Sequence, residues 1–400
     1  MKVALIMVVV GDLAGSGGAE RQFSDLFEFL RRSRGGRVTL ITAKTSVRRL
    51  HEAGRLTSEA GVITLPLGQR PARGWLGHAW LTLTLLWTTM RGGFDVVHLC
   101  LPTPSYVPYA ALLTLLPRAV RPRVVLTVID CTLANNLLAG SAADAYEQQV
   151  VDAHRLYFKW THLDGVYTWY RAFATAAREH QWFPSGAVVT PAKYCFADLR
   201  RFQPDPGKED VVIFAGRLSA QKRPLLFVDA VARLRQLDPA LAGQWRFEMY
   251  GGGAMEADVR RQIERHGLTG AIALRRAPDL SPVFAKTRLF VSTQAFENFT
   301  SLAMLEAMAA GNAVIAQDVG QTAEFVHDGE NGLLVKDETA DAFADAIARY
   351  LRAPDLHDAM AAKSRTIATG THTIEHFADD IEAFWSDVLS PRPSHPAKDR

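Results

Sequence analysis

Short apolar runs rich in β-branched residues alternate along this chain with longer stretches whose apolar positions recur every three or four residues. The short runs predict strands at 3–10, 37–43, 61–67, 96–100, 124–129, 165–169 and 187–191. Their nearly uniform apolar character suits strands covered on both faces, as in a parallel doubly wound sheet. The polar stretch 196–210 then interrupts the rhythm with Pro204, Pro206 and Gly207, and reads as an interdomain linker. A second series follows, with strands at 211–216, 246–250, 271–276, 288–293 and 313–318 and helices from Pro224, over 254–266 and over 301–310. Pro224 fits a first helical turn, where its missing N–H costs nothing, and Gly267 predicts a left-handed cap. A final helix at about 373–389 precedes a polar tail.

Two such series imply an α/β chain with two Rossmann-like domains, whose strands present their carboxyl-end loops to a ligand-binding cleft. The expected boundaries are 1–194, 195–372, a C-terminal helix 373–390 and a disordered tail 391–400. The segment 75–90, WLGHAWLTLTLLWTTM, is too short to span a bilayer comfortably. The plainer reading is a buried helix; the sharper one is an interfacial helix, because tryptophans flanked by arginines suit the headgroup region.

Length and composition narrow the class. A chain of 400 residues with 48% hydrophobic and 22% charged residues buries a sizeable core. The first apolar run is short and is expected to be a strand rather than a leader. Three scattered cysteines, Cys100, Cys131 and Cys195, offer neither a disulfide framework nor a CxxC metal site, so a cytoplasmic soluble enzyme is the expected class. Charge is uneven: 22 basic and 14 acidic residues in 1–200 give +8, whereas 23 and 28 in 201–400 give −5. A basic half points to an anionic partner, such as a phospholipid surface or a phosphorylated acceptor. With an overall net charge of only +3, nucleic acid is not expected.

The sequence lacks GxxxxGK[ST], GxSxG, HExxH and any DxD pair, and Gly11, Gly15, Gly17 and Gly18 do not form GxGxxG. Three loops at predicted strand ends carry phosphate-handling chemistry instead. Gly15-Ser16-Gly17-Gly18-Ala19-Glu20-Arg21 opens a helix, where glycines let backbone N–H groups approach an anion, although any tight turn uses glycine. Arg217 and Lys222 bracket one strand-to-helix turn, offering a planar fork and a mobile point charge to a diphosphate. In 297–311, Thr300 or Ser301 can cap a helix. Within that helix Glu306 is either a buried carboxylate needing a partner such as a sugar hydroxyl pair, or a group on its exposed face.

The order of GGAER, FAGRLSAQKRP, ENFTSLAMLEAMAAG and DGENGLLV resembles the family 4 retaining glycosyltransferases of GT-B fold, over almost the whole chain and most strongly over 211–335. The resemblance implies two domains facing each other across a cleft and a last helix packed on the first. It implies that Arg217 and Lys222 hold the donor diphosphate, that Glu297 contacts the donor sugar and Glu306 the nucleotide ribose, and that Gly17 and Gly18 approach the donor phosphate and acceptor. Asp130, Asn298, Phe299, Thr300 and Ser301 fall among the implied binding residues, and Gly320 and Glu324 in the loop that follows.

Two positions depart from the family pattern. Eight residues rather than seven separate Glu297 from Glu306, so Asn298 holds the strict register unless a one-residue bulge restores Glu297, as we expect. Ile129 stands where many members have a histidine touching the donor sugar, and His98 could compensate, although a lone strand-end histidine is more often structural. The implied activity is transfer of a sugar from a nucleotide-diphosphate donor to a glycan or lipid-linked acceptor. It needs no metal and no cofactor, and peripheral contact with an anionic membrane accompanies it. Arg31, Arg32, Arg34, Arg37, Arg48 and Arg49 add to the basic first half in support of that contact. A sugar-nucleotide epimerase and a non-catalytic nucleotide-binding subunit are the competing expectations.

Overall fold

The computed structural model describes residues 1–8, 18–52, 54–65, 75–130, 132–140, 145–183, 186–299 and 301–390. Contacts divide the chain into two units, Met1–Lys193 with Phe377–Arg400, and Tyr194–His376.

In the first unit, seven parallel strands form the sheet: β1 (Val3–Ile6), β2 (Val38–Ala43), β3 (Val62–Leu65), β4 (Val96–Leu99), β5 (Arg123–Val128), β6 (Gly165–Thr168) and β7 (Val188–Pro191). Their order is β3-β2-β1-β4-β5-β6-β7, so the crossover direction reverses between β1 and β4. The connecting helices are α1 (Gly18–Ser33), α2 (Lys44–Glu52), α3 (Trp75–Gly92), α4 (Val107–Leu115), α5 (Leu133–Ala139), α6 (Ala145–Trp160) and α7 (Arg171–Glu179). β1, β4 and β6 are buried at every residue, as sheets covered on both faces require.

The second unit has six parallel strands: β8 (Val211–Ala215), β9 (Arg246–Tyr250), β10 (Ile272–Arg275), β11 (Leu289–Ser292), β12 (Ala313–Gln317) and β13 (Gly332–Val335), ordered β10-β9-β8-β11-β12-β13. Here too the order reverses beside the first strand, between β8 and β11. The helices are α8 (Pro224–Leu237), α9 (Pro239–Gly243), α10 (Glu256–Arg265), α11 (Ser281–Lys286), α12 (Leu302–Ala309), α13 (Ala340–Leu351) and α14 (Pro354–Gly370). One apolar core joins β8, β9 and β11 to α8 and α13 through Phe227, Val231, Phe247, Phe343 and Ile347. From Phe377 onward the last helix, α15 (Ile374–Leu389), belongs to the first unit. There the indole N–H of Trp385 donates to His98 Nδ1 at 3.0 Å, and Asp380 accepts from the Tyr167 hydroxyl at 2.7 Å.

Three expectations change. The stretch 196–210 is not a free linker: Phe196 and Phe202 are buried, and the Asp205 and Glu209 N–H groups donate to the carbonyls of Ala285 and Lys286. Strand β13 and helices α13 and α14 were not predicted. The segment 75–90 is helical, but it is not a buried helix: Trp75, Leu76, Leu83 and Trp87 are each more than 60% exposed.

Candidate active site

The site in the second unit grows from the turn after β8. Gly216 N–H donates to the Tyr250 carbonyl, and Leu218 N–H to the Gly252 carbonyl, so the turn lies directly on the glycine run that ends β9. A side chain at Gly251 would begin 1.9 Å from the Gly216 carbonyl oxygen, and one at Gly253 2.5 Å from that of Leu218. Only glycine permits this approach, which fixes the path of Arg217. Arg217 is exposed, and its guanidinium makes no hydrogen bond or ion pair among the described residues.

Arg223 ends the turn at φ 46°, a conformation a side chain adopts only when its surroundings hold it. Thr293 supplies that hold, its hydroxyl donating to the carbonyls of Lys222 and Arg223 at 2.9 Å each. Ala295 N–H donates to the Gln221 carbonyl at 3.0 Å, and the α8 helix begins at Pro224 as its sequence predicts.

These bonds draw the cation turn onto the loop after β11. The Lys222 ammonium donates to the Gln294 side-chain oxygen, and the Gln294 amide donates to the Glu297 carbonyl. Glu297 is buried; its Oε1 accepts the backbone N–H groups of Phe299 at 2.8 Å and Gln321 at 2.9 Å. Burial holds its carboxyl above the usual glutamate range, and the backbone hydrogen bonds offset that only in part. Gly320, at φ 54°, is the reason the carboxylate fits: a Cβ there would lie 2.2 Å from Glu297 Oε2.

Asn298 is fully buried, accepting from the Ser292 hydroxyl at 2.6 Å and donating to that of Thr322 at 2.9 Å. It bolts β11 to the turn after β12. Phe299 is buried against the Phe325 ring, centroids 5.4 Å apart. Glu306 is buried on α12 among Met304, Leu305 and Met308, which overturns the exposed-face alternative. Ser301 occupies the N-cap position of α12 with no side-chain cap bond, so the expected Ser301 cap is corrected. Thr300 lies outside the described residues.

Arg217, Lys222, Glu297, Asn298, Phe299, Glu306 and Gly320 therefore all belong to the second unit, and a continuous chain of bonds joins Lys222 to Glu297 and Gln321. Gln294, the link between them, was missed because a glutamine after a strand carries no motif signal. Among the described residues, no group of three or more His, Cys, Asp or Glu is placed to hold a metal ion.

In the first unit, Gly18 begins α1, whereas Gly17 lies outside the described residues. Asp130 follows β5, its Oδ1 accepting from the Thr132 N–H at 2.9 Å and hydroxyl at 2.7 Å, an Asx turn into α5. His98 does not compensate for Ile129. It is wholly buried, and because the Trp385 indole only donates, His98 Nδ1 accepts and Nε2–H donates to Thr127 Oγ1 at 2.5 Å. Burial pushes its pKa down to about 3, so it remains a neutral core residue.

Residues 209–353, within the second unit, match the family described as Glycosyl transferases group 1. The D-inositol 3-phosphate glycosyltransferase of Stackebrandtia nassauensis is 31% identical over 219 residues, 53% of this chain and 48% of its own. The lipopolysaccharide core biosynthesis mannosyltransferase LpsB of Rhizobium meliloti is 29% identical over 213 residues, 48% of this chain and 59% of its own. The chain thus spans about half the length of these relatives. Among solved structures, sucrose-phosphate synthase from Thermosynechococcus elongatus superposes with a TM-score of 0.74 at 19% identity, covering 97% of this chain and 99% of that one. Anabaena HepE in complex with UDP and glucose gives 0.69 at 20% identity over 96% and 99%. The fold is GT-B.

Proposed function

We propose that the chain is a metal-independent retaining glycosyltransferase of family 4 that moves a hexose from a nucleotide-diphosphate sugar to an acceptor hydroxyl in glycan, glycolipid or polysaccharide synthesis. The observation that carries this reading is the bonded path from Lys222 through Gln294 to Glu297 at the carboxyl ends of β8 and β11. The order of that sheet reverses there, which is where open α/β sheets bind ligands. Relatives named as glycosyltransferases and a fold neighbour holding UDP and glucose support it.

In this reading Arg217 and Lys222 face the donor diphosphate, Glu297 and the 298–301 backbone the sugar, and Glu306 the ribose. Gly17, Gly18 and Asp130 keep the first-unit roles that the resemblance implies. As the acceptor oxygen bonds to the anomeric carbon, the bond from that carbon to the phosphate oxygen breaks. Its electron pair stays on the phosphate, and the acceptor proton passes to that same phosphate on the shared face. The chain's part is to hold both substrates and to meet the charge growing on the leaving group. A cytoplasmic chain in peripheral contact with an anionic membrane, taking a glycan or lipid-linked acceptor, completes the proposal.

The test is incubation of the purified chain with uridine, guanosine and adenosine diphosphate sugars and candidate acceptors. The product's anomeric configuration is then read by NMR. Transfer with retention is expected; isomerised donor without transfer would establish an epimerase, and neither reaction would leave a binding subunit.

A further inference from the structure

Helix α3 is inverted. Its buried face carries Thr82, Thr88 and Thr89 beside Leu81 and Leu85, and Thr89 is hydrogen-bonded to the Tyr109 hydroxyl of α4 at 2.7 Å. Its exposed face carries Leu76, Trp80, Leu83, Trp87 and Met90, spaced by four, three, four and three residues, which is one continuous helical stripe. A helix serving only the core would place these groups the other way round. α4 packs against α3 and is exposed at Leu112 and Leu115, also on one helical face. Large apolar side chains gathered on adjacent helices mark a contact surface rather than scattered exposure.

Charge identifies what it contacts. Between residues 60 and 129 the sequence holds six arginines and a single acid, Asp95. Arg91 lies over the Trp87 ring, 5.1 Å from its centroid, at the end of the stripe. Beyond α4, Arg118, Arg121 and Arg123 share the single carboxylate of Asp164; Arg121 is buried against it, while Arg118 and Arg123 reach the surface. The basic clusters of α1 and α2 are partly paired within the unit. Arg31 and Arg32 pair with Glu28, Arg34 with Asp379 and Glu382, and Arg48 with Glu52. A second copy on this face would set arginine against arginine across a two-fold. A bilayer with anionic headgroups satisfies both features, taking the leucines and tryptophans at its interface and the arginines at its phosphates. No helix among the described residues is long and apolar enough to cross a membrane, so the contact is in the plane of the surface.

We propose that the exposed α3–α4 face docks on an anionic lipid bilayer, α3 lying flat with its Leu76–Met90 stripe in the headgroup–acyl boundary. This rests on the peripheral-membrane part of the proposed function and replaces the α1–α2 arginines by a defined surface. The full-length chain is sedimented with phosphatidylcholine vesicles and with phosphatidylcholine–phosphatidylglycerol vesicles at low salt. Binding to the anionic vesicles is expected, with a blue shift of tryptophan emission. Leu83→Asp with Trp87→Asp should weaken it by about tenfold or more, since two apolar groups must leave the interface. Both positions are exposed, so the melting temperature should hold; if that pair unfolds, Leu76→Gln with Leu83→Gln carries the same comparison. Unchanged vesicle binding in the variants overturns this face while leaving membrane attachment intact. No binding by the wild type to either vesicle overturns both. A lipid-free dimer that Leu83→Asp dissociates would instead make the face a contact between copies.

Discussion

Lys222 and Glu297 bring the same problem to the site from opposite signs, because each is a charge held partly out of water. Lys222 donates to the neutral side-chain amide of Gln294, and Arg217 is exposed. Losing one preorganised electrostatic partner of a developing charge costs about 10²–10³ in kcat. On the proposed function, Lys222→Ala and Arg217→Ala should therefore act mainly on kcat, whereas Glu306→Ala should raise KM, because the proposed ribose contact would be alike in ground and transition states. Steady-state kinetics with the donor varied separates the two. Glu297 makes a pH prediction. Its folded pKa is raised, so burying the ionised form opposes folding, and the stability present below the ordinary value of 4.5 is lost as pH rises through the folded value. Glu297→Gln keeps an acceptor for Phe299 and Gln321 without the charge. Its melting temperature should exceed that of the wild type at pH 8 and match it near pH 4, while transfer falls. The residues were legible as candidates, since Arg217, Lys222, Glu297 and Glu306 stand in motifs. Their connections were not, because Gln294 and Gly320 act through contacts that no spacing encodes.

At the scale of elements, apolar runs marked every strand whose two faces are both covered. β13 escaped because its run, Gly332–Val335, starts on a glycine set 1.8 Å, by the position of an added Cβ, from the Val314 carbonyl, and reads as part of a loop motif. Helices α13 and α14 escaped because alanines make up much of their apolar faces, a weak periodic signal. α3 was read as a helix, and the plainer of its two readings, a buried one, fails because tryptophan and leucine ordinarily report a core but here stand exposed. The histidine of β4 shows how elements are joined: His98 ties β5 through Thr127 and α15 through Trp385, so one neutral imidazole fastens the last helix to the first sheet. Trp385→Phe keeps most of the packing but removes the one donor that reaches Nδ1 among the described residues, leaving a buried acceptor unpaired. The expected loss is about 1–3 kcal/mol, read as a lower denaturant midpoint with an unchanged slope.

For the whole molecule, the family match covers residues 209–353, inside the second unit, while the fold likeness to sucrose-phosphate synthase covers 97% of the chain. The two-unit fold was legible because two series of apolar runs and helical stretches follow one another along the chain, and the candidate site of the second unit stood out because its motifs are contiguous. In the first unit the sequence offered both a buried and an interfacial reading of 75–90, and the two separate only once the exposed face of α3 is known. The last prediction follows from where positive charge sits. A nucleoside diphosphate freed of its sugar carries the extra negative charge that the leaving group develops in transfer, and Arg217 and Lys222 lie on one short turn whose path Gly251 and Gly253 fix. Nucleotide diphosphate alone should therefore bind and stabilise the chain, by about 2.7 kcal/mol at 100 times its Kd. The accompanying rise in melting temperature should survive EDTA and vanish in the Arg217→Ala, Lys222→Ala double variant. Mononucleotide, lacking the second phosphate, should stabilise less. If EDTA abolishes the shift and Mg²⁺ or Mn²⁺ restores it, a metal rather than these two cations meets the diphosphate, and the metal-independent mechanism falls. If the double variant keeps the full shift, the turn after β8 is not the diphosphate site.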